Sequence, residues 1–275
     1  MTADPRFRAE LFDCVQVNLA LLADRLHGPG TGLRLGATLR FRPAPGPDGL
    51  PTVEPTVEHH LGEAARHLGL TVRTPLRTTS GVDVRPGEGC YVVADAYHLP
   101  WVPYFGQRHL EHSFLAAPGP GAGTVTVTDA YHNETPYGSA RPGTWTLDAE
   151  EFEAAVRGPV LVAELAAGPL PAAPAPGTDL AGEAATDAYA DAYARHPDRA
   201  AALHRLTLET WLLARSRALH AAYTDTVPGH WPEAAAFQER VRAWNSLTEQ
   251  VYMAYRRVER GRAEPPGLAD RLAEF

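Results

Sequence analysis

Residues 90–131 hold three runs, CYVVADAYHLPW (90–101), HLEHSFLAA (109–117) and GTVTVTDAY (123–131), that carry the strongest β signal in the chain. The first and third are rich in β-branched and aromatic residues, and Gly and Pro punctuate the gaps between the runs, as in strands joined by turns in an antiparallel sheet. Toward the N-terminus, FDCVQVNLALLADRLHG (12–28) sets Val15, Leu19, Leu22 and Leu26 at spacings of four, three and four, the stripe of a helix packed on a core. Asp13 is placed to cap this helix, and Gly28-Pro29-Gly30 ends it. Between helix and sheet the reading gives a strand region in LRLGATLRFRP (33–43), a second helix in VEHHLGEAARHL (57–68) and a strand in GLTVRT (69–74). A short helix follows over 148–156, and VLVAEL (160–165) has no decisive period.

The composition changes at GPLPAAPAPGT (168–178), where Pro, Ala and Gly disfavour both helix and strand interiors. Beyond it Phe237, Val241, Trp244, Leu247, Val251, Tyr255 and Val258 lie on one helical face, and Leu208, Leu212, Leu219 and Tyr223 on another. These signals predict an α+β domain over 1–167, a linker over 168–182 and a helical domain over 183–275.

The chain has 275 residues and a formal charge of −8, which argues against general nucleic-acid binding. All 25 basic residues are arginine, so lysine Schiff-base and lysine general-base chemistry are excluded. No apolar run approaches the roughly 20 residues of a membrane span, and no signal segment opens the sequence, so a cytoplasmic protein is expected. The two cysteines, Cys14 and Cys90, suit a reducing compartment better than a disulfide framework.

Cys14 falls where the first helix begins, and unpaired N–H groups and the helix dipole at such a place stabilise a thiolate. His112 lies in the second β run, and Asp129 closes the third. Adjacent antiparallel strands can bring such a pair side by side, so that the carboxylate orients the imidazole. A cysteine at a helix start facing this pair is the working set of thiol acyl transfer. Each residue also has a structural reading: a small core cysteine, a core histidine with satisfied hydrogen bonds, an aspartate capping a turn. Cys90, on a strand, is read as a buried structural residue.

The tetrapeptide DAYH occurs at 95–98 and again at 129–132, and His109 stands three residues before His112. A duplicated metal site is one reading and chance repetition within a strand pattern the other; no HExxH accompanies it, and the second is preferred. His59 and His60 on the second helix are read as surface residues.

The order of a cysteine at a helix start, the Asp95-Ala96-Tyr97-His98-Leu99-Pro100-Trp101 segment, His112 and the strand-terminal Asp129 resembles the papain-like cysteine family that includes the butirosin biosynthesis acyltransferase BtrH. It is similar, more distantly, to the C39 peptidase-like fold. The resemblance covers roughly the first 160 residues. It implies a papain-like fold, Cys14 as nucleophile, His112 as base, Asp129 as orienting group, no bound cofactor, and a substrate carried as a thioester on the phosphopantetheine of an acyl carrier protein. Papain-like peptidases place an oxyanion-hole glutamine a few residues before the cysteine, whereas here residues 7–13 contain none and Gln16 follows it.

Gln16, Asp95, Tyr97 and Trp101 are the expected substrate contacts. The arginines of the C-terminal helices, Arg215, Arg217, Arg256, Arg257, Arg260 and Arg262, either form a solvated face or dock an acidic carrier protein. The expected activity is cysteine-dependent acyl transfer from a carrier thioester to an amine or other nucleophile in natural-product biosynthesis. The alternatives are a thioesterase or peptidase using the same three residues, and a non-catalytic ligand-binding protein.

Overall fold

The computed structural model describes residues 6–73, 75–78, 90–228, 234–268 and 271. In chain order its elements are α1 (Gln16–His27), β1 (Thr38–Phe41), β2 (Ala44–Pro45), β3 (Pro51–Thr52), α2 (Val57–His67), β4 (Leu70–Val72), β5 (Leu76–Thr78), β6 (Cys90–Asp95), β7 (Glu111–Pro118) and β8 (Val125–Asp129). There follow β9 (Asn133–Thr135), β10 (Gly138–Ala140), β11 (Gly143–Leu147), α3 (Ala149–Ala155), β12 (Val160–Ala167), β13 (Gly177–Leu180), α4 (Glu183–Arg195), α5 (Arg199–Thr224) and α6 (Ala234–Glu259). The protein is mixed α/β, and among the described residues no helix is long and apolar enough to cross a membrane.

The chain divides into two compact units, residues 1–35 with 56–174 and residues 36–55 with 175–275. The boundary differs from the one expected from composition, because residues 36–55 belong with the helices. Backbone pairing explains this: β1 lies parallel to β13, which forms inside the expected linker, and Leu50 packs in the helical core with Leu203, Leu206 and Trp244. Glu209, fully buried on α5, accepts hydrogen bonds from Thr52 Oγ1 and Val53 N, each at 2.7 Å. A proline-rich loop is thereby fixed by one carboxylate, a tie that periodicity cannot foretell.

In the first unit the strands run β11-β8-β7-β6-β12-β4, with β5 also on β12, and every pairing is antiparallel. VLVAEL therefore forms an interior strand. Residues 112–116 of β7 are all buried, since both faces of the strand are covered. Phe114 and Ala116 share one face with Val92, Cys90, Val127 and Phe152. Tyr91 and Ser113 turn to the other face, where α1 packs on β7. Cys90 thus lies in the core, as its strand position suggested.

Covering by both sheet and helix also alters the expected stripe on α1. Val17 through Ala23 are all buried, α1 packing against β7, β12 and α2, whereas Leu26 is exposed beyond that contact. In the second unit the buried face of α5 is Ala202, Leu203, Leu206 and Leu213 rather than Leu208 and Leu212, which are half-buried. On α6 the expected Val241, Trp244, Leu247 and Val251 are buried. The side chain of Phe237 lies outside the described residues. Gly36 permits α5 to approach closely, because a Cβ there would meet the Leu219 carbonyl oxygen at 2.5 Å.

Candidate active site

Asp13 organises the entrance to α1. Its backbone carbonyl takes the N–H of Val17, and its Oδ1 accepts from Val15 N at 2.8 Å and Gln16 N at 2.7 Å. The carboxylate is buried, and its other oxygen lies 3.6 Å from Nε2 of His60. Asp13 lies two residues before the α1 cap position, Val15, and holds the turn leading into the helix, so two amides expected to stabilise a Cys14 thiolate already serve it. A buried carboxylate on the preceding residue further opposes negative charge there. Priming of Cys14 by the helix end is therefore weaker than the sequence suggested, and His60 is a buried partner of Asp13 rather than a surface residue.

Cys14 fills a place in the sheet. The Ala96 N–H to Leu110 O hydrogen bond sets the even-numbered residues of β7 toward β6, so Ser113 directs its N–H to the opposite side. There β8 pairs with β7 only over Leu115–Pro118. In the space before Leu115, the Cys14 carbonyl accepts from Ser113 N at 3.3 Å and from Ser113 Oγ at 2.6 Å. The Cys14 thiol lies 3.5 Å from the carbonyl oxygen of Glu111. The cysteine therefore touches the backbone on both sides of His112.

His112 is fully buried, and its Nε2 lies 2.7 Å from Asp129 Oδ2. Its ring meets that of Tyr131 edge-on, with centroids 5.0 Å apart. Nδ1 is buried and has no hydrogen-bond partner among the described residues. The tautomer that directs its Nε2 proton to Asp129 leaves the Nδ1 lone pair as the one a general base uses.

Asp129 is held by more than the histidine. Trp101 Nε1 donates to Oδ2 at 3.2 Å; Tyr131 N, at 2.9 Å, and Asn18 Nδ2, at 3.2 Å, donate to Oδ1. Asn18 is fully buried on α1; its amide also donates to Ser113 O at 2.8 Å, and its Oδ1 accepts from Ala130 N at 3.0 Å. One side chain thus ties the helix that follows the cysteine to the strands carrying the other two residues. The sequence reading passed over Asn18; the available signal was a polar residue among the apolar positions of α1, four residues beyond Cys14.

The four expected substrate contacts separate. Trp101 adjoins the buried pair through Asp129 and stacks on Trp145 with centroids 5.7 Å apart. Gln16 is half-buried and joins Asp13 through its backbone. Asp95 ends β6, where its Oδ1 accepts from Tyr97 N at 3.0 Å and Leu110 N at 3.3 Å. Its Oδ2 lies 2.6 Å from Nδ1 of His109. Partial burial raises the pKa of Asp95, but the histidine and backbone N–H bonds outweigh it and hold the carboxyl below its ordinary value. Tyr97 stacks on His109 with centroids 4.3 Å apart.

The expected arginine surface also changes. Arg217 is buried, its guanidinium 4.3 Å from the ring centroid of Trp244, and desolvation lowers its pKa to about 10. It cannot belong to a docking face. Arg215 lies over Trp211, Arg256 pairs with Glu259, and Arg257 donates to the carbonyl of Ala263.

No protein-family model matches the sequence, and no curated protein matches it significantly.

Proposed function

We propose that this protein is a papain-like cysteine acyltransferase, with Cys14 as nucleophile, His112 as base and Asp129 as the group that fixes its tautomer. The observation that carries this reading is the pairing of a buried His112–Asp129 couple, Nδ1 without a partner, with a cysteine lodged on the backbone at Glu111 and Ser113. In the resting arrangement the thiol is directed to the Glu111 carbonyl, so its proton must leave that oxygen to reach Nδ1.

Attack on an acyl thioester then joins the acyl carbon to Cys14 and expels the donor thiol, which takes the proton held by His112. Donor and acyl-enzyme contain the same kind of bond, so this exchange is nearly balanced in free energy. An amine or another nucleophile resolves the acyl-enzyme, and its access relative to water decides between transfer and hydrolysis. The donor is a carrier-protein thioester, met by an acidic carrier at Arg215, Arg256 and Arg257, which unlike Arg217 are not buried.

Intact-protein mass spectrometry after exposure to a panel of acyl N-acetylcysteamine thioesters tests the reading. The wild type should gain one acyl mass and Cys14→Ala none. An amine should then release the acyl group as its amide. Adducts of equal yield on both proteins, or no adduct on either, would remove Cys14 from the chemistry.

A further inference from the structure

The repeated DAYH tetrapeptide builds the same local structure twice. Asp95 ends β6 and Asp129 ends β8, the strands on either side of β7 in the sheet. In each copy Oδ1 accepts the N–H of the tyrosine two residues on, at 3.0 Å for Tyr97 and 2.9 Å for Tyr131. In each copy Oδ2 holds a histidine, His109 Nδ1 just before β7 at 2.6 Å and His112 Nε2 within β7 at 2.7 Å. The tyrosine ring then packs on that histidine, stacked for Tyr97 and edge-on for Tyr131. The strand-terminal carboxylate is thus used twice for one purpose, to orient an imidazole.

The two couples differ in exposure and in the nitrogen they leave over. The His112 side chain is 0 % exposed and that of His109 is 70 % exposed. His112 is held by Nε2, leaving Nδ1, while His109 is held by Nδ1, leaving Nε2. They are three positions apart, so their Cα atoms lie at most about 11 Å from each other. Glu111, whose carbonyl touches the Cys14 thiol, stands between them and pairs with Asp95 across β6 and β7. The outer imidazole thus stands two residues along the chain from the carbonyl that touches the sulfur.

We propose that Asp95 and His109 form a second, outer proton-transfer couple that deprotonates the incoming acceptor amine; the proposal rests on the acyl-enzyme reading of Cys14. An alkyl amine arrives at neutral pH as an ammonium ion and has no lone pair for attack. His109 Nε2 takes one proton from it. The freed nitrogen attacks the acyl carbon, the C–N bond forms, and the C–S bond breaks with its electron pair going to sulfur. His112 takes the second N–H proton and returns it to the Cys14 sulfur, and His109 releases its proton to water. The products are amide, thiol and one proton. The buried couple serves the sulfur, and the exposed couple serves the acceptor.

The experiment follows Cys14 acylation and deacylation separately by rapid-quench mass spectrometry, with an acyl N-acetylcysteamine thioester as donor and ethylenediamine as acceptor. Because His109 is exposed, His109→Gln should fold as the wild type does. It should form the acyl-enzyme at the wild-type rate and transfer it to amine at least tenfold more slowly below the amine pKa. The deficit should shrink as rising pH supplies neutral amine, and Asp95→Asn should behave likewise to a smaller degree. Equal transfer rates in wild type and His109→Gln would overturn the proposal, as would equal slowing of acylation and transfer, which would indicate a structural role. A wild type that forms no Cys14 adduct fails at the earlier step, refuting the acyl-enzyme reading and this proposal with it.

Discussion

Asn18 and Asp129 meet in the interior, Nδ2 to Oδ1 at 3.2 Å, although 111 residues separate them in the chain. Both are buried, and the same asparagine also holds Ser113 O and Ala130 N. The register between α1 and the sheet is therefore set by polar contacts inside an apolar core. Such contacts stabilise only when every partner is satisfied.

Replacing Asn18 by Leu should accordingly lower stability by about 2–4 kcal/mol, since it orphans the Ala130 N–H and takes a donor from Asp129. Urea unfolding gives the number. Asn18→Asp keeps an acceptor for Ala130 but sets a second carboxylate against Asp129, so acyl transfer should fall further than stability alone explains. A variant as stable and active as the wild type would show that the asparagine has no positioning role.

Asp129→Asn retains the shape but cannot accept from His112, Trp101, Tyr131 and Asn18 together as a carboxylate does. Acyl-enzyme formation should slow by about 10²- to 10⁴-fold as the imidazole loses its fixed tautomer. Single-turnover kinetics with a thioester measures this. A loss below threefold would make the histidine pair a structural feature.

Asp13→Asn should raise the rate of Cys14 alkylation by iodoacetamide at neutral pH. The buried carboxylate belongs to the residue preceding the cysteine, and asparagine keeps an oxygen for the Val15 and Gln16 amides while removing the charge. Slower labelling would mean that the geometry of Asp13 outweighs its charge.

Acid should weaken the helical unit through His220. This buried residue directs Nδ1 to Gly36 O at 2.6 Å; desolvation lowers its pKa below the ordinary 6.5 despite the opposing effect of that hydrogen bond. The unfolded chain therefore binds a proton as pH falls through 6.5 while the folded chain resists it. The stabilisation is complete above that pH and is lost below it. Thermal melting between pH 8 and 5 should show the midpoint falling on the acid side, and His220→Gln should flatten that part of the curve.

The sequence by itself determined the antiparallel sheet, the helices α1, α2, α3 and α6, and the candidate trio Cys14, His112 and Asp129, because each rests on local period or on residue type. Strand alternation and caps act over a few residues, so they are legible without coordinates. Only the tertiary structure decided that residues 36–55 join the helical unit, that VLVAEL is an interior strand and that Arg217 is buried. It also decided that Asp13 occupies the amides thought to prime the thiol, and that the two DAYH copies hold two histidines. Apart from the two Asp13 amides, these depend on partners more than ten positions away, brought together by burial and hydrogen-bond satisfaction, for which linear spacing carries no signal.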